Sequence, residues 1–479
     1  MVFSSLVFLL LFLPVTVALY YLSQTRYRNV LLCTASVFFY LTGSGIQILL
    51  LLLTAAVDYV IGWRVYQSRY KKAWLLLSLT FNIGFLAYFK YANFLIDNWN
   101  GLVEWFNVPL LQIKGWKEIV LPLGISFYTF ETMAYVIDIY MGRQKPARTI
   151  LDYAMYITMF PHLIAGPIYR FKEIHHEIDP EARSKANNVD QMFYGLYVFC
   201  LGLGKKIFFA NVLGQVADYC FGTQTTPGLI APSFQEAWIG ALAYTFQIYF
   251  DFSGYSDMAI GLGMIFGFHF PQNFDRPYTA SSITDFWRRW HMTLSRWFRD
   301  YLYIPLGGNR GSRLQTVRNL MIVFLLCGLW HGAKWTFVLW GMYHGLLLIL
   351  ERGPLGSVLE RMPRVAAQAY TFLLTVVGWV LFRAETLGQI GTYLKAMFSP
   401  LAGTVTTFQF YHLTRRDTEF MIAFCFAFLA LIRFDVGGIS VRWPRFAAVL
   451  QAGLVCCVAA FTMGSLATGT FNPFIYFRF

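Results

Sequence analysis

Charged side chains are scarce in this chain of 479 residues: Asp, Glu, Lys and Arg make up 13% of it, whereas 57% is hydrophobic. Soluble proteins carry about 25% charged and about 45–50% apolar residues. The apolar residues occur in runs of roughly 17–25, the length that crosses the hydrocarbon core of a bilayer. The composition therefore argues against a soluble domain and predicts an all-α polytopic membrane protein, since a membrane β-barrel needs short alternating segments.

Common catalytic and ligand-binding signatures are missing as well. The sequence has no GxSxG, Walker or HExxH motif, and Gly261-Leu262-Gly263 lacks the third glycine of a dinucleotide-binding loop. Seven cysteines are scattered without a CxxC pair, so we expect neither a disulfide framework nor a cysteine metal site. His291 and His331 lie 40 residues apart without a regularly spaced third ligand, and we predict no metal.

Acidic residues are outnumbered by basic ones, 25 to 38, which gives a formal net charge of +13. No basic soluble module accompanies this charge, so we predict no nucleic-acid partner. Lys and Arg concentrate instead in short segments such as 64–72 and 143–148, as they do in cytoplasmic loops. Together with Arg26 and Arg28, this pattern predicts an outward N-terminus and a retained first span, not a signal peptide, over residues 3–22.

We predict one integral-membrane domain over residues 1–479 with roughly 11–13 membrane segments, several of them short. Prolines and glycines near 122–124 and 161–167 indicate broken or re-entrant helices. Loops are expected at 96–117 and 169–190. The apolar stretches that supply these segments, some of them too short to span alone, are 3–22, 30–42, 46–62, 73–95, 119–141, 150–168, 191–222, 234–250, 252–268, 318–331, 334–351, 366–383, 419–433 and 447–466.

Residues 284–301 form the most distinctive stretch. Apolar side chains recur there at spacings of 4, 4, 3 and 4, at Phe286, Trp290, Leu294, Trp297 and Tyr301. This spacing predicts one amphipathic helix, which would lie at the lipid headgroup level because its other faces are basic. On such a helix Arg288 and Arg299 share one face, and Arg289 and Arg296 share another.

Two histidines are candidate functional residues. His331 lies between Trp330 and Gly332 at the end of an apolar run; it is either a base that deprotonates a hydroxyl or a histidine hydrogen-bonded between helices. We expect Gly328 and Gly332 to let a substrate approach closely. His291 either positions an acyl donor or assists proton transfer, or it is an interfacial histidine among arginines.

Three further polar residues each have two possible roles. Asp251 and Asp257 stand in apolar surroundings, where they line a polar tunnel or pair structurally with the arginines of 288–299. The aromatic tail 474–479 contains Tyr476. It is either an interfacial anchor or a segment whose phenol accepts an acyl group.

Five stretches together resemble the membrane-bound O-acyltransferases. They match best the bacterial alginate O-acetyltransferase branch, which is similar to the membrane protein of lipoteichoic-acid D-alanylation. The likeness covers nearly the whole chain, with core motifs at about 119–345. Beyond about residue 350, where we expect C-terminal helices over 366–466 and the aromatic tail, the match is only loose in character. The five stretches are residues 160–167, 249–259, 285–303, 306–310 and 328–332.

The resemblance implies a ring of helices around a thinned central tunnel in the bacterial inner membrane. It implies that His331, in the Trp330-His331-Gly332 motif, is catalytic and that His291 is a second functional histidine. An acyl group from a cytoplasmic thioester, with acetyl-coenzyme A as donor substrate and no bound cofactor, would reach the far side. Periplasmic esterase-like acetyltransferase subunits and the polysaccharide export machinery are the implied partners, with Tyr476 as candidate acyl carrier.

We therefore expect an O-acetyltransferase that serves an exported polysaccharide of the alginate or cellulose kind. The arginines Arg288, Arg289, Arg296 and Arg299 would hold the phosphates of coenzyme A or dock an acidic carrier protein. One alternative is carrier-protein-dependent acyl transfer to another envelope polymer. The other is a polysaccharide or lipid transporter, against which the lack of paired repeats argues.

Overall fold

The apolar runs fold as helices, which satisfy their own backbone hydrogen bonds in lipid. A computed structural model describes residues 1–186, 188–223, 228–400 and 444–467, together with Ala423 and Ala427. Across these residues all regular secondary structure is helical. The predicted all-α class is therefore confirmed.

The chain forms two compact units. Unit 1 comprises Met1–Met192, Gly263–Phe270 and Trp330–Lys334. Its helices are α1 (Leu13–Leu22), α2 (Arg28–Ser44), α3 (Ile48–Gln67), α4 (Lys71–Leu86), α5 (Ala92–Trp105), α6 (Ile125–Tyr140), α7 (Ile150–Thr158), α8 (Phe171–Ile178) and α9 (Pro180–Ala186).

A buried polar network joins α3, α4 and α6 inside unit 1. The carboxylate of Asp58 accepts hydrogen bonds from Ser78 Oγ at 2.6 Å and from Asn82 Nδ2 at 2.8 Å. The Asn82 side-chain oxygen accepts a further one from Thr132 Oγ1 at 3.0 Å. Polar groups buried in an apolar bundle need such partners, so the network fixes how these three helices pack.

Unit 2 comprises Phe193–Leu262, Pro271–Leu329 and Trp335–Phe479. A few residues of α10, α12 and α15 belong to unit 1. The helices are α10 (Val189–Gly204), α11 (Asn211–Phe221), α12 (Phe234–Ile265), α13 (Ile283–Arg289), α14 (Met292–Phe298), α15 (Arg313–His331), α16 (Trp335–Glu351), α17 (Pro354–Arg361), α18 (Arg364–Arg383), α19 (Leu387–Met397) and α20 (Pro444–Ala467).

Among the described residues, five helical stretches are long and apolar enough to cross a membrane. Phe8–Leu22 and Trp335–Glu351 are shorter apolar helices. The predicted span 419–433 lies almost entirely outside the described residues, and the ring with its central tunnel stays a prediction. The five stretches are Thr25–Gln67, Lys71–Trp105, Val189–Phe221, Arg313–His331 and Arg364–Arg383.

Two expected loops contain helices instead. Segment 96–117 continues as α5 to Trp105, and segment 169–190 contains α8 and α9. The two helices expected at 234–250 and 252–268 are one, α12. The polar residues near Asp251 suggested a break, but the backbone is helical throughout, and Asp251 pairs with Lys206 from the turn Lys205–Ala210.

The single helix expected at 284–301 is interrupted. α13 ends at Arg289, α14 begins at Met292, and His291 between them adopts a left-handed conformation with φ of 42°. The predicted apolar stripe is nevertheless buried along its whole length. Spacing thus identified the buried side chains, whereas the break depends on a distant residue described below.

Candidate active site

His331 is the last residue of α15, and it is 5% exposed. Its imidazole lies 4.9 Å from the ring of Trp330, measured between ring centroids. That indole stacks on Phe130 at 5.4 Å and meets Phe127 edge-on at 5.2 Å. Its Nε1 donates to the carbonyl of Ser126 at 3.1 Å. Packing within unit 1 therefore immobilises the residue that precedes the candidate base.

Lys90 is a neighbour of this site that the sequence reasoning missed. It lies in a short π-helical turn, Ala87–Tyr91, between α4 and α5. Its buried ammonium donates to the carbonyls of Trp330 and His331, the latter at 3.3 Å, and to Ser126 Oγ at 3.0 Å. A single lysine inside the apolar run 73–95 was the available signal, since ionisable residues at membrane depth are usually functional.

Gly328 has a different role from the expected one. A Cβ added there would collide with the backbone carbonyl of Phe337 and lie 3.3 Å from Cα of Gly341. Gly341 in turn approaches the carbonyl of Phe324. These glycines bring α15 and α16 into close backbone contact within unit 2, so Gly328 serves helix packing rather than substrate access.

His291 is fully buried in unit 2, between α13 and α14. Its Nδ1 lies 3.1 Å from Oδ1 of Asn273, and its ring meets Phe252 edge-on at 4.7 Å. Asn273 also binds the start of α14: its carbonyl accepts from Met292 N at 2.9 Å and its side-chain oxygen from Thr293 N at 3.3 Å. These contacts replace helical hydrogen bonds, which explains the break in the predicted helix.

The contacts of Asn273 determine the tautomer of His291. A backbone N–H can only donate, so the atom that accepts from Thr293 N is the amide oxygen. The same oxygen can only accept from the imidazole, so Nδ1 of His291 carries the proton and Nε2 carries the lone pair. Burial lowers the pKa of His291 to about 3, which keeps the ring neutral near pH 7.

The four arginines differ in their surroundings. Arg289 pairs with Asp285 at 2.9 Å, and Arg299 pairs with Asp300 at 2.7 Å. Arg288 and Arg299 are exposed, whereas Arg289 and Arg296 are half-buried. Because the helix breaks at His291, the regular spacing no longer places these residues on shared faces. Their role in binding a donor stays a prediction.

The two carboxylates of α12 are paired, but with lysines rather than arginines. Asp251 lies 2.6 Å from Nζ of Lys206, with both side chains buried. Asp257 lies 2.5 Å from Nζ of Lys205, in a more exposed position. Both lysines come from the π-helical turn Lys205–Ala210 that joins α10 to α11. Ion pairing of this kind is sufficient to explain why both aspartates lie in apolar surroundings, without a polar tunnel.

Each candidate histidine thus lies at the end or the start of a helix, buried and held by neighbours of its own unit. A neutral imidazole in such a place can accept a proton from a hydroxyl and return it to a leaving group. Tyr476 lies outside the described residues.

Comparison with known proteins identifies the family of this chain. The sequence profile of the membrane-bound O-acyltransferase family matches residues 32–382, a range that contains both His291 and His331. The chain belongs to this family.

Similar relatives narrow the assignment. A probable alginate O-acetylase, AlgI of Pseudomonas aeruginosa, is 47% identical over 403 residues, covering 83% of this chain and 75% of the relative. Its Pseudomonas putida counterpart is 41% identical over 508 residues, covering 100% of both chains. The peptidoglycan O-acetyltransferase of Helicobacter pylori is 37% identical over 460 residues, covering 88% of this chain and 83% of the relative.

Family and helices together make this chain a multi-pass membrane acyltransferase. The predicted resemblance to membrane-bound O-acyltransferases of the alginate branch is confirmed. The names of these relatives, alginate O-acetylase and peptidoglycan O-acetyltransferase, refer to membrane-associated modification of polysaccharides. The structure adds three residues to the candidate site that the sequence analysis did not name: Asn273, Lys90 and Ser126.

Proposed function

We propose that this chain moves an acetyl group from a cytoplasmic thioester across the bacterial inner membrane for O-acetylation of an exported polysaccharide, with His331 as the catalytic base. The observation that carries the proposal is the buried imidazole of His331 at the end of α15, beside an indole fixed by unit 1. The names of the relatives, alginate O-acetylase and peptidoglycan O-acetyltransferase, support acetyl as the transferred group and a polysaccharide as the acceptor.

The proposed reaction is an acyl transfer from sulfur to oxygen. The imidazole of His331 takes the proton of an acceptor hydroxyl while the oxygen attacks the thioester carbonyl. The carbon–sulfur bond then breaks, and the imidazolium returns the proton to the departing thiolate, so the histidine ends neutral. General acid–base help of this kind contributes about 10²–10⁴-fold to the rate.

His291 is the second functional histidine in this proposal. Its Nε2 carries the lone pair because Asn273 holds the proton on Nδ1, so it can accept a hydrogen bond from a hydroxyl or a protonated donor group. The neutral state of the ring suits a hydrogen-bonding role better than that of a fixed cation.

Acetyl-coenzyme A is the proposed donor substrate, and we expect no bound cofactor. The exposed guanidinium groups of Arg288 and Arg299 suit its phosphates, because a guanidinium binds phosphate through two parallel hydrogen bonds. Proposed partners are periplasmic esterase-like acetyltransferase subunits and the polysaccharide synthesis and export machinery, which complete the transfer to sugar hydroxyls.

Transfer in membrane vesicles tests the donor and the reaction class together. Inside-out vesicles that contain the chain and its polysaccharide machinery receive either acetyl-coenzyme A or an acetylated acyl-carrier protein, each labelled in the acetyl group. We expect label in the polymer only with acetyl-coenzyme A, and none with His331→Ala. Label only from the carrier protein would favour carrier-dependent transfer. Lost polymer export with unchanged donor consumption would favour a transporter.

Tyr476 requires a separate test. Mass spectrometry of the C-terminal peptide follows incubation of the purified chain with labelled acetyl-coenzyme A, for the native sequence, His331→Ala and Tyr476→Phe. Label on Tyr476 that disappears in both variants would support a covalent relay through the tail. Acetyl release that depends on His331 but leaves the peptide unlabelled would make the tail an anchor.

A further inference from the structure

The C-terminal end of α15 is held by a charge that comes from another helix. The last carbonyls of an α-helix have no partner within the helix and carry the negative end of its dipole. Two of these carbonyls, those of Trp330 and His331, accept hydrogen bonds from Nζ of Lys90. A cation at this end of a helix is electrostatically favourable.

These contacts involve all three hydrogen-bond donors of the Lys90 ammonium. A lysine has three N–H donors, and Nζ has three acceptors here: the two carbonyls and Ser126 Oγ at 3.0 Å. Nζ also lies 5.8 Å from the centroid of the Trp330 ring. Three bonds with different directions fix the position of Nζ relative to the backbone of both residues.

Ser126 connects this contact to the indole. Its hydroxyl accepts from Lys90, while its backbone carbonyl accepts from Nε1 of Trp330 at 3.1 Å. One residue at the start of α6 therefore holds the side chain of Trp330 and, through Lys90, the backbone of Trp330 and His331. These contacts hold the candidate base through its main chain.

Burying a lysine at this position is energetically unfavourable. Removing an ammonium from water costs several kcal/mol, and a methionine of similar length would pack without that cost. A buried charge that lowers stability suggests that the group is retained because it selects one specific conformation. Here the specific outcome is the path of the chain at His331, the last residue of α15.

We propose that Lys90 is a positioning residue for His331: by binding the carbonyls of Trp330 and His331, it keeps the end of α15 from fraying and so fixes the direction of the catalytic imidazole. The proposal rests on the proposed function, in which His331 is the base. A frayed last turn would rotate His331 about its own backbone, and a misplacement of about 1 Å can cost about 10²-fold in rate.

The test compares Lys90→Met with the native chain, purified in lipid nanodiscs, with acetyl-coenzyme A labelled in the acetyl group as the probe. Rates of thiol release give kcat and KM, and tryptophan fluorescence gives Tm. We expect kcat to fall about 10²-fold and KM to change less than threefold, with a cooperative unfolding transition retained. Lys114→Met, which removes an exposed lysine of unit 1, is the matched control and should behave like the native chain.

Two milder variants separate positioning from simple support of the fold. Ser126→Ala removes one of the three acceptors and should lower kcat about fivefold, the effect of one hydrogen bond. Lys90→Arg keeps the charge and should recover part of the activity that Lys90→Met loses. If Lys90→Met does not fold, these two variants decide, and native kcat in both overturns the proposal.

His331→Ala, measured beside these variants, separates the role of Lys90 from the role of His331. A folded Lys90→Met with native kcat, beside an inactive His331→Ala, overturns the role of Lys90 and leaves the proposed function intact. Native activity in His331→Ala overturns the proposed function itself.

Discussion

Asn273 holds His291 in a single tautomer, with the proton on Nδ1 and the lone pair on Nε2. The same asparagine binds the first backbone N–H groups of α14 and is bound in turn to Ser256 Oγ through Nδ2 at 3.1 Å. One side chain thus both ends the predicted helix and orients the histidine inside the break.

Replacing Asn273 by Leu should reduce acyl transfer by at least about tenfold, the scale expected when a group that orients a functional histidine is lost. The imidazole could then adopt either tautomer, and α14 would lose a cap. Steady-state kinetics with labelled acetyl-coenzyme A measure the effect. Asn273→Asp keeps the acceptor and should retain more activity than Asn273→Leu, and equal losses in the two would contradict the tautomer account.

Stability should depend on pH through His291. Burial lowers the folded-state pKa of His291 to about 3, below an unfolded value near 6.5, so between these values the unfolded chain binds the extra proton. The stabilisation is complete above about pH 6.5 and is lost as the pH falls towards 3, at up to about 1.4 kcal/mol per pH unit.

The variant His291→Asn isolates this effect, since asparagine tolerates the left-handed backbone conformation. Thermal unfolding followed between pH 7 and pH 4.5 should show a smaller loss of Tm in the variant than in the native chain. Parallel losses would mean that other groups dominate the acid response.

The buried pair Lys206–Asp251 offers a direct test of a structural role. Removing one partner, as in Asp251→Asn, should destabilise the chain by about 3–5 kcal/mol because a buried lysine loses its counter-charge. The double variant Lys206→Met/Asp251→Leu should recover most of that loss. The less buried pair Lys205–Asp257 is the control, with an expected effect of about 1 kcal/mol or less.

A donor-binding role for Asp251 would give a different result. Its substitution would then raise KM for acetyl-coenzyme A in the folded protein, and the double variant would not restore the kinetics. Chemical unfolding and steady-state kinetics on the same samples separate the two readings.

Close packing at Gly328 predicts a stability cost for a single methyl group. Gly328→Ala places a Cβ against the carbonyl of Phe337 and should destabilise the protein by about 1–3 kcal/mol. Gly101 in α5 has no atom within 4 Å of an added Cβ, so Gly101→Ala should be neutral or stabilising by about 0.5–1 kcal/mol. Equal effects on Tm would contradict the packing role.

Local pattern was sufficient for much of the fold. The apolar stripe from Phe286 to Tyr301 is buried as its spacing predicted, and the expected break after Thr42 is present where α2 ends at Ser44. These features depend on neighbours in sequence, and hydrophobic periodicity reports them.

The features that local pattern did not predict depend on contacts between residues far apart in the sequence. The helix break at His291 depends on Asn273, and the partner of Asp251 is Lys206, which lies 45 residues earlier in the chain. Lys90 meets Trp330 across 240 residues. No local pattern shows such partners, although each involves a polar residue in an apolar stretch, which is the signal for a search.

The most direct test of the central claim is the rate at which purified chain in lipid nanodiscs releases thiol from acetyl-coenzyme A, compared between the native protein and His331→Ala. We expect kcat to fall about 10²–10⁴-fold in the variant, with Tm close to that of the native protein. An equally folded His331→Ala that consumes acetyl-coenzyme A at the native rate would contradict the assignment of His331 as the base.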